Sequence, residues 1–158
     1  MKVEIGPGSN PAPGFDYYVD VVENPRANVR ASMECLPFEA GAVEHLQARH
    51  VLEHQSYLYI LPTLLEWYRV LKPGGTLFVA VPNAPSYFGE QDMQALNHYT
   101  MGSLQPIGYD EYDKPAWWWQ AHHTLFDWPM LRALLELAGF HVQRVEVSGQ
   151  IVVEAVKR

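Results

Sequence analysis

The sequence predicts an α/β domain built on a sheet with an antiparallel element at its end. Three observations carry this. Short apolar runs alternate with helix-patterned segments, the mark of a sheet threaded by helices. The chain's 158 residues fit one domain, and its 48% hydrophobic content is enough for a core. Its last stretch reads as two strands around Ser148-Gly149-Gln150, a tight hairpin signal.

Taken in order, the first strand is the run around Val3 and Ile5, broken at once by a Gly/Pro loop from Gly6 to Gly14. Tyr17 to Val22 forms the second run, and Asn28 to Met33 a third. Ala42 to His54 fits two readings: Val43, Leu46 and His50 have helical spacing, while Leu46, Ala48 and His50 alternate as in a strand. Leu61, Leu64, Leu65, Tyr68 and Leu71 then mark one face of a helix, with Pro62 in its first turn and Pro73-Gly74-Gly75 as its stop. Thr76 to Val81 is a continuous apolar run, as in a sheet covered on both faces. Residues 83 to 121 have no clean period. A second helix shows Leu131, Leu134, Leu135 and Ala138 on one face, Asp127 as N-cap, Pro129 in the first turn and Gly139 at the stop. Phe140 to Val147 and Ile151 to Val156 complete the hairpin.

Composition excludes several functions. A net charge of −7 argues against binding a phosphate backbone, which needs a basic stripe. The single Cys35 excludes a disulfide framework and a Cys-based zinc cluster. The N-terminus MKVEIGPGSN has no apolar signal region, and no apolar stretch is long enough to span a bilayer. The expectation is a soluble cytoplasmic protein with no nucleic-acid or membrane partner.

Glu4-Ile5-Gly6-Pro7-Gly8 falls where the first strand ends. Glycines there let backbone approach a ligand, although a bare turn explains a lone G-x-G equally well. Pro11, Pro13 and Gly14 follow directly, and Asp20 comes only 12 residues after Gly8 (20 − 8). That leaves hardly any room for the helix on which dinucleotide sites seat a pyrophosphate, so a ligand without one fits better. Asp20 ends the second run, where a carboxylate can accept hydrogen bonds from two ribose hydroxyls or serve as a solvated turn residue.

Glu4-Ile5-Gly6-Pro7-Gly8, Asp20, Leu36-Pro37-Phe38, His50-Val51-Leu52-Glu53-His54 and Arg69-Val70-Leu71-Lys72-Pro73-Gly74-Gly75 occur in that order. In combination they closely resemble the class I S-adenosylmethionine-dependent methyltransferases, nearest the small type-11 branch. The resemblance spans the chain, since Leu131 to Phe140 resembles the family helix ending in Ala-Gly-Phe. It implies a Rossmann-like doubly wound sheet of seven strands, mostly parallel, with the last one antiparallel. It implies S-adenosyl-L-methionine as cofactor, with Glu4, Gly6 and Gly8 at the methionine part and Asp20 at the ribose. Ser32, Met33 and Glu34 match the adenine-side segment, and Ala48, Arg49 and His50 the end of strand four. It also turns Glu44 to Ala48 into a strand. The chain departs from the family at Asn10, where a third glycine is usual, and at Ser32, where an acid often stands. The N-terminal helices are reduced, which implies a more open pocket.

The implied reaction is methyl transfer to a small-molecule acceptor, sugar-like or an apolar hydroxyl. The alternative is a binding or interaction protein of the same fold with reduced catalysis. His122 and His123 precede the second helix, and either can take a proton from an acceptor or simply cap the helix entrance. His50-x-x-Glu53-His54 also fits an inverted zinc-peptidase motif. With two spaced imidazoles and no Cys partner, the expectation is no bound metal. The insert at 83–121 holds eight aromatics (Tyr87, Phe88, Tyr99, Tyr109, Tyr112 and Trp117 to Trp119), with Lys114 its only Lys or Arg. With the acids Glu90, Asp92, Asp110, Glu111 and Asp113 nearby, its aromatic faces suit a sugar or a cation; otherwise it is cover for the missing helices or a homo-oligomer contact.

Overall fold

A computed structural model describes residues 1–87 and 121–158. Seven strands form one sheet: β1 (Lys2–Ile5), β2 (Tyr17–Asp20), β3 (Val29–Arg30), β4 (Val43–Arg49), β5 (Leu71–Pro82), β6 (Phe140–Val147) and β7 (Gln150–Lys157). Their order is β3-β2-β1-β4-β5-β7-β6. All neighbours are parallel except β7, which runs antiparallel to both β5 and β6. The antiparallel strand thus lies inside the sheet and β6 forms the edge, because the hairpin folds β7 back between β5 and β6. Val43 to Arg49 is a strand, which resolves the ambiguous segment.

Two α-helices stand among the described residues. α1 (Tyr57–Val70) follows a short 3-10 turn at Leu52–His54, and α2 (Trp128–Leu137) precedes β6. α1 begins four residues before the first apolar position of the sequence pattern, so Pro62 lies in its interior rather than its first turn. Its buried side chains are Ile60, Thr63, Leu64, Trp67 and Val70, while Leu65 is exposed. Both sets keep three- and four-residue steps. Trp67 decides the face, since it is fully buried and donates its indole N–H to the Met33 carbonyl at 3.0 Å. α2 is as expected: the Asp127 carboxylate accepts from Met130 N at 2.8 Å, and Gly139 takes φ 99° beyond its end.

Val3, Ile5, Leu46, Ala48, Leu77, Val79, Ile151 and Val153 form one core with Ile60, Leu64, Trp67, Leu131 and Leu135 of the helices. The opposite sheet face carries Tyr18, Glu4, Gln47, Phe78, Glu154 and Arg144 in one cross-strand row. Among the described residues no helix covers it. Thr76 is exposed and Phe78 half-buried, so β5 is not covered on both faces as its apolar run suggested.

β5 starts earlier than expected. Leu71 pairs with Val43 and Thr76 with His45, so Lys72 to Gly75 bulge out between the two pairs. Of the 83–121 insert only the two ends are described. At the carboxyl end of β5, Ala84 N donates to the carbonyl of Phe126, beyond the insert, at 2.8 Å. Phe88 to Gln120, including most of the aromatics proposed for an acceptor or oligomer contact, lie outside the described residues.

Candidate functional site

The carboxyl ends of β1, β2, β3 and β4 lie side by side, and the loops leaving them carry nearly every residue the sequence singled out. In an open parallel sheet this is where ligands bind. Gly6 takes φ 62° and Gly8 φ 53°, conformations that favour glycine. At Gly6 the constraint is also steric: a Cβ there would lie 2.5 Å from Val51 Cγ2. Gly6 N donates to the Val19 carbonyl at 2.8 Å, tying the loop to β2.

Asp20 is brought to this loop by a residue that motif reasoning missed. The Asn24 amide donates to Asp20 Oδ2 at 2.8 Å and to the Gly8 carbonyl at 3.3 Å. Among the described residues, Asp20 Oδ1 accepts only a long bond, 3.3 Å, from Val22 N. The carboxylate is partly exposed, so it retains capacity for hydroxyl donors.

Glu4 and Arg49 act inside the chain. Glu4 is 1% exposed, and its carboxylate accepts from Ala12 N at 2.7 Å, Gln47 Nε2 at 3.1 Å and Arg49 Nη2 at 2.8 Å. The same Arg49 nitrogen donates to the Asn10 carbonyl at 3.1 Å. Together they clamp both halves of the Gly/Pro loop to the sheet. Ala48 faces the core and is fully buried, so only its backbone can meet a ligand.

Ala31 N donates to the Asp20 carbonyl at 3.0 Å, which sets Ser32, Met33 and Glu34 beside the end of β2. The Glu34 carboxylate accepts from the Ser32 hydroxyl and, at 3.0 Å, from the Gln55 amide, closing this segment against the loop after β4. Leu36 N donates to Glu66 Oε1 at 2.8 Å, and Arg69 Nη2 donates to the Phe38 carbonyl at 2.9 Å. The Leu-Pro-Phe element is therefore held by an ion pair on α1.

His50 ends β4 at φ 51°, the one described residue other than glycine with positive φ. Its Nε2 lies 2.9 Å from Gln150 Oε1, and its Nδ1 lies 3.5 Å from Glu53 Oε1, longer than an ordinary hydrogen bond. The Glu53 carboxylate raises the His50 pKa above the usual imidazole value. Segment 121–124 is stapled onto the same turn. His123 N and Thr124 N donate to the Glu53 carbonyl at 2.8 and 3.1 Å, and the Thr124 hydroxyl donates to the Gln55 carbonyl at 2.7 Å. His122 and His123 thus sit at the end of β4 beside His50, which sequence distance alone could not establish. Burial lowers the His122 pKa and keeps its imidazole neutral near neutral pH.

Residues 14–79 match the family model described as a methyltransferase domain. No curated protein matches. Among solved structures, the chain resembles a SAM-dependent methyltransferase of Thermotoga maritima at 17% identity, covering 100% of this chain and 82% of that one, with a TM-score of 0.70. It resembles an S-adenosylmethionine-dependent methyltransferase of Mesorhizobium loti at 11% identity, covering 99% and 90%, TM-score 0.67. A third is the 1,6-didemethyltoxoflavin-N1-methyltransferase of Burkholderia thailandensis with bound S-adenosylhomocysteine, at 18% identity, covering 98% and 70%, TM-score 0.62. The seven-stranded sheet is that of the class I methyltransferases. What the chain shares with these proteins is the fold and, over residues 14–79, the match to a methyltransferase domain.

Proposed function

We propose that the cleft at the carboxyl ends of β1 to β4 binds S-adenosylmethionine, and that the chain transfers its methyl group to a hydroxyl of a small-molecule acceptor. The observation that carries this is the closure of Gly8, Asn24 and Asp20 around one point at the end of β1 and β2. The ribose takes the outer side of Asp20, the methionine part runs along Gly6 and Gly8, and the adenine lies toward Ser32 to Glu34. The acceptor oxygen attacks the methyl carbon in line, the carbon–sulfur bond breaks, and sulfur keeps the electron pair. The leaving thioether is already good, so alignment supplies much of the rate. His122 and His123 border the acceptor side, where a neutral imidazole can take the hydroxyl proton.

Calorimetry with S-adenosylhomocysteine tests the cofactor site. Wild-type chain binds one equivalent, and Asp20→Ala weakens binding by about 1–3 kcal/mol while staying folded. Unchanged affinity in a folded Asp20→Ala variant removes Asp20 from the site. Mass detection of methylated product across hydroxylated acceptors separates a transferase from a protein that only binds the cofactor.

A further inference from the structure

The turn after β4 holds a second group of side chains with its own chemistry. Glu53 is fully buried, and among the described residues neither of its carboxylate oxygens has a hydrogen-bond partner. A buried carboxylate is costly unless it is paired or bound to a metal. His50 on the same turn lies 3.5 Å away, is half exposed and pairs with it as an ion only when protonated. Glu53, His54 and His122 each offer a ligand atom, and these three atoms all lie within 4.8 Å of one another. The two rings are 5.1 Å apart, centroid to centroid. His54 Nδ1 lies 3.0 Å from the Ala121 carbonyl. A carbonyl only accepts, so Nδ1 carries the hydrogen and Nε2 keeps its lone pair. Metal-ligating histidines are oriented by this kind of bond.

We propose that Glu53, His54 and His122 form a site for one divalent first-row transition-metal ion of the zinc, cobalt or manganese type. Two imidazoles and one carboxylate are a donor set these ions take, with coordination positions left over for a further ligand. Bonds of about 2.0–2.2 Å require the ligand atoms to close by roughly an ångström, which side-chain rotation supplies. The backbone is already set, since the bonds from His123 N and Thr124 N to the Glu53 carbonyl fix His122 against the turn. This assignment differs from the peptidase-like motif in the sequence. There His50 and His54 share the metal and Glu53 is a base; here Glu53 is a ligand and His122 replaces His50. It also replaces the expectation of no metal, because the third donor comes from 68 positions along the chain (122 − 54). The metal site does not depend on the methyltransferase reading. Its consequence does rest on that reading: with His122 on the metal, His123 is the imidazole left to take the proton, and an open coordination position would hold the acceptor's oxygen and favour its deprotonated form.

The test is titration of untagged, chelator-dialysed protein with cobalt(II), followed by visible absorption, and with zinc by calorimetry. The expected result is one equivalent bound. Glu53→Gln and His122→Asn each weaken it by at least about 10- to 100-fold, the loss typical of even an outer-shell partner, and His50→Gln changes it only a few-fold. Thermal melts of each apo variant establish that it is folded, and if Glu53→Gln fails to fold, His122→Asn and His54→Gln carry the comparison. No saturable binding by the wild-type chain overturns the proposal. So does binding lost on His50→Gln but kept in His122→Asn. If cobalt binds as expected while S-adenosylhomocysteine does not, the metal site stands and the methyltransferase reading falls.

Discussion

Gly6 and Gly8 have nearly the same backbone conformation but different surroundings, so the pair isolates one effect. A left-handed φ costs a residue with a Cβ about 1–2 kcal/mol, and both positions incur it. Only at Gly6 does the added Cβ meet another group, 2.5 Å from Val51 Cγ2 and 2.8 Å from Val51 Cβ; at Gly8 nothing lies within 4 Å. Val51 is β-branched and stands between His50 and the turn holding Glu53, so it has little room to yield. Overpacking of this kind adds about 1–3 kcal/mol. Gly6→Ala should therefore destabilise by roughly 2–5 kcal/mol and Gly8→Ala by roughly 1–2 kcal/mol. The unfolded-state entropy removed by a new Cβ is common to both and cancels in the comparison.

Urea unfolding, read by tryptophan fluorescence, to which the buried Trp67 contributes, and by circular dichroism, measures both. A double-mutant cycle then localises the difference. Val51→Ala removes the Cγ2 atom but keeps the Cβ at 2.8 Å, so in its presence Gly6→Ala should recover only part of that ~1–3 kcal/mol, whereas Gly8→Ala should combine additively. Equal costs for Gly6→Ala and Gly8→Ala would refute the reasoning. So would strict additivity of Gly6→Ala with Val51→Ala, because either outcome means the loop shifts away from Val51 without resistance.

Asp127→Ala removes the cap of α2 and should lower stability by about 1 kcal/mol, read as a lower thermal midpoint; Asp127→Ser should restore most of it. Glu4→Gln weakens charge-assisted bonds to Arg49 and should cost about 1.5–3 kcal/mol. Because Glu4 and Arg49 clamp the Gly/Pro loop, the same variant should lower S-adenosylhomocysteine affinity in calorimetry. Glu66 titrates below its ordinary value of 4.5 because Arg69 bonds it, with Leu36 N adding to the effect. A depressed acid contributes stability that is full above the unfolded value and is lost as pH falls through the lower folded one. Glu66→Gln should thus be less stable than wild type at neutral pH, the gap closing below about pH 4.5 in chemical-denaturation curves.

The residues differ in how far the sequence alone exposes their roles, and the difference is physical. α2 was legible because its signals are local: Asp127, Pro129 and Gly139 act on backbone within one turn of themselves. The sheet order came from motif order, since no spacing rule places β7 between β5 and β6. The buried face of α1 was read in part, with Leu64 and Leu71 buried and Leu61 and Tyr68 against the core but Leu65 exposed, because the helix is apolar on several sides. Its choice is made by Trp67 reaching the Met33 carbonyl, a contact between elements. Asn24 escaped for a similar reason, since its amide matters only once β1 and β2 lie parallel and bring Gly8 beside Asp20.

Glu53 presents the sharpest case. In the sequence it is one acid between two histidines, and either a solvated turn or a peptidase motif accounts for it. The fold gives it a different meaning through three steps that no local pattern encodes. β4 ends at His50 with a left-handed residue, which turns the chain down into the 3-10 segment. That segment carries Glu53 under the protein surface, to 0% exposure. Segment 121–124 then lies across it, held by the Glu53 carbonyl, and delivers His122 to the carboxylate of the same residue. Backbone and side chain of Glu53 thus face one strap. Anything that loosens the strap, such as Thr124→Val with its lost bond to the Gln55 carbonyl, disturbs the Glu53–His54–His122 group without altering any of its three members.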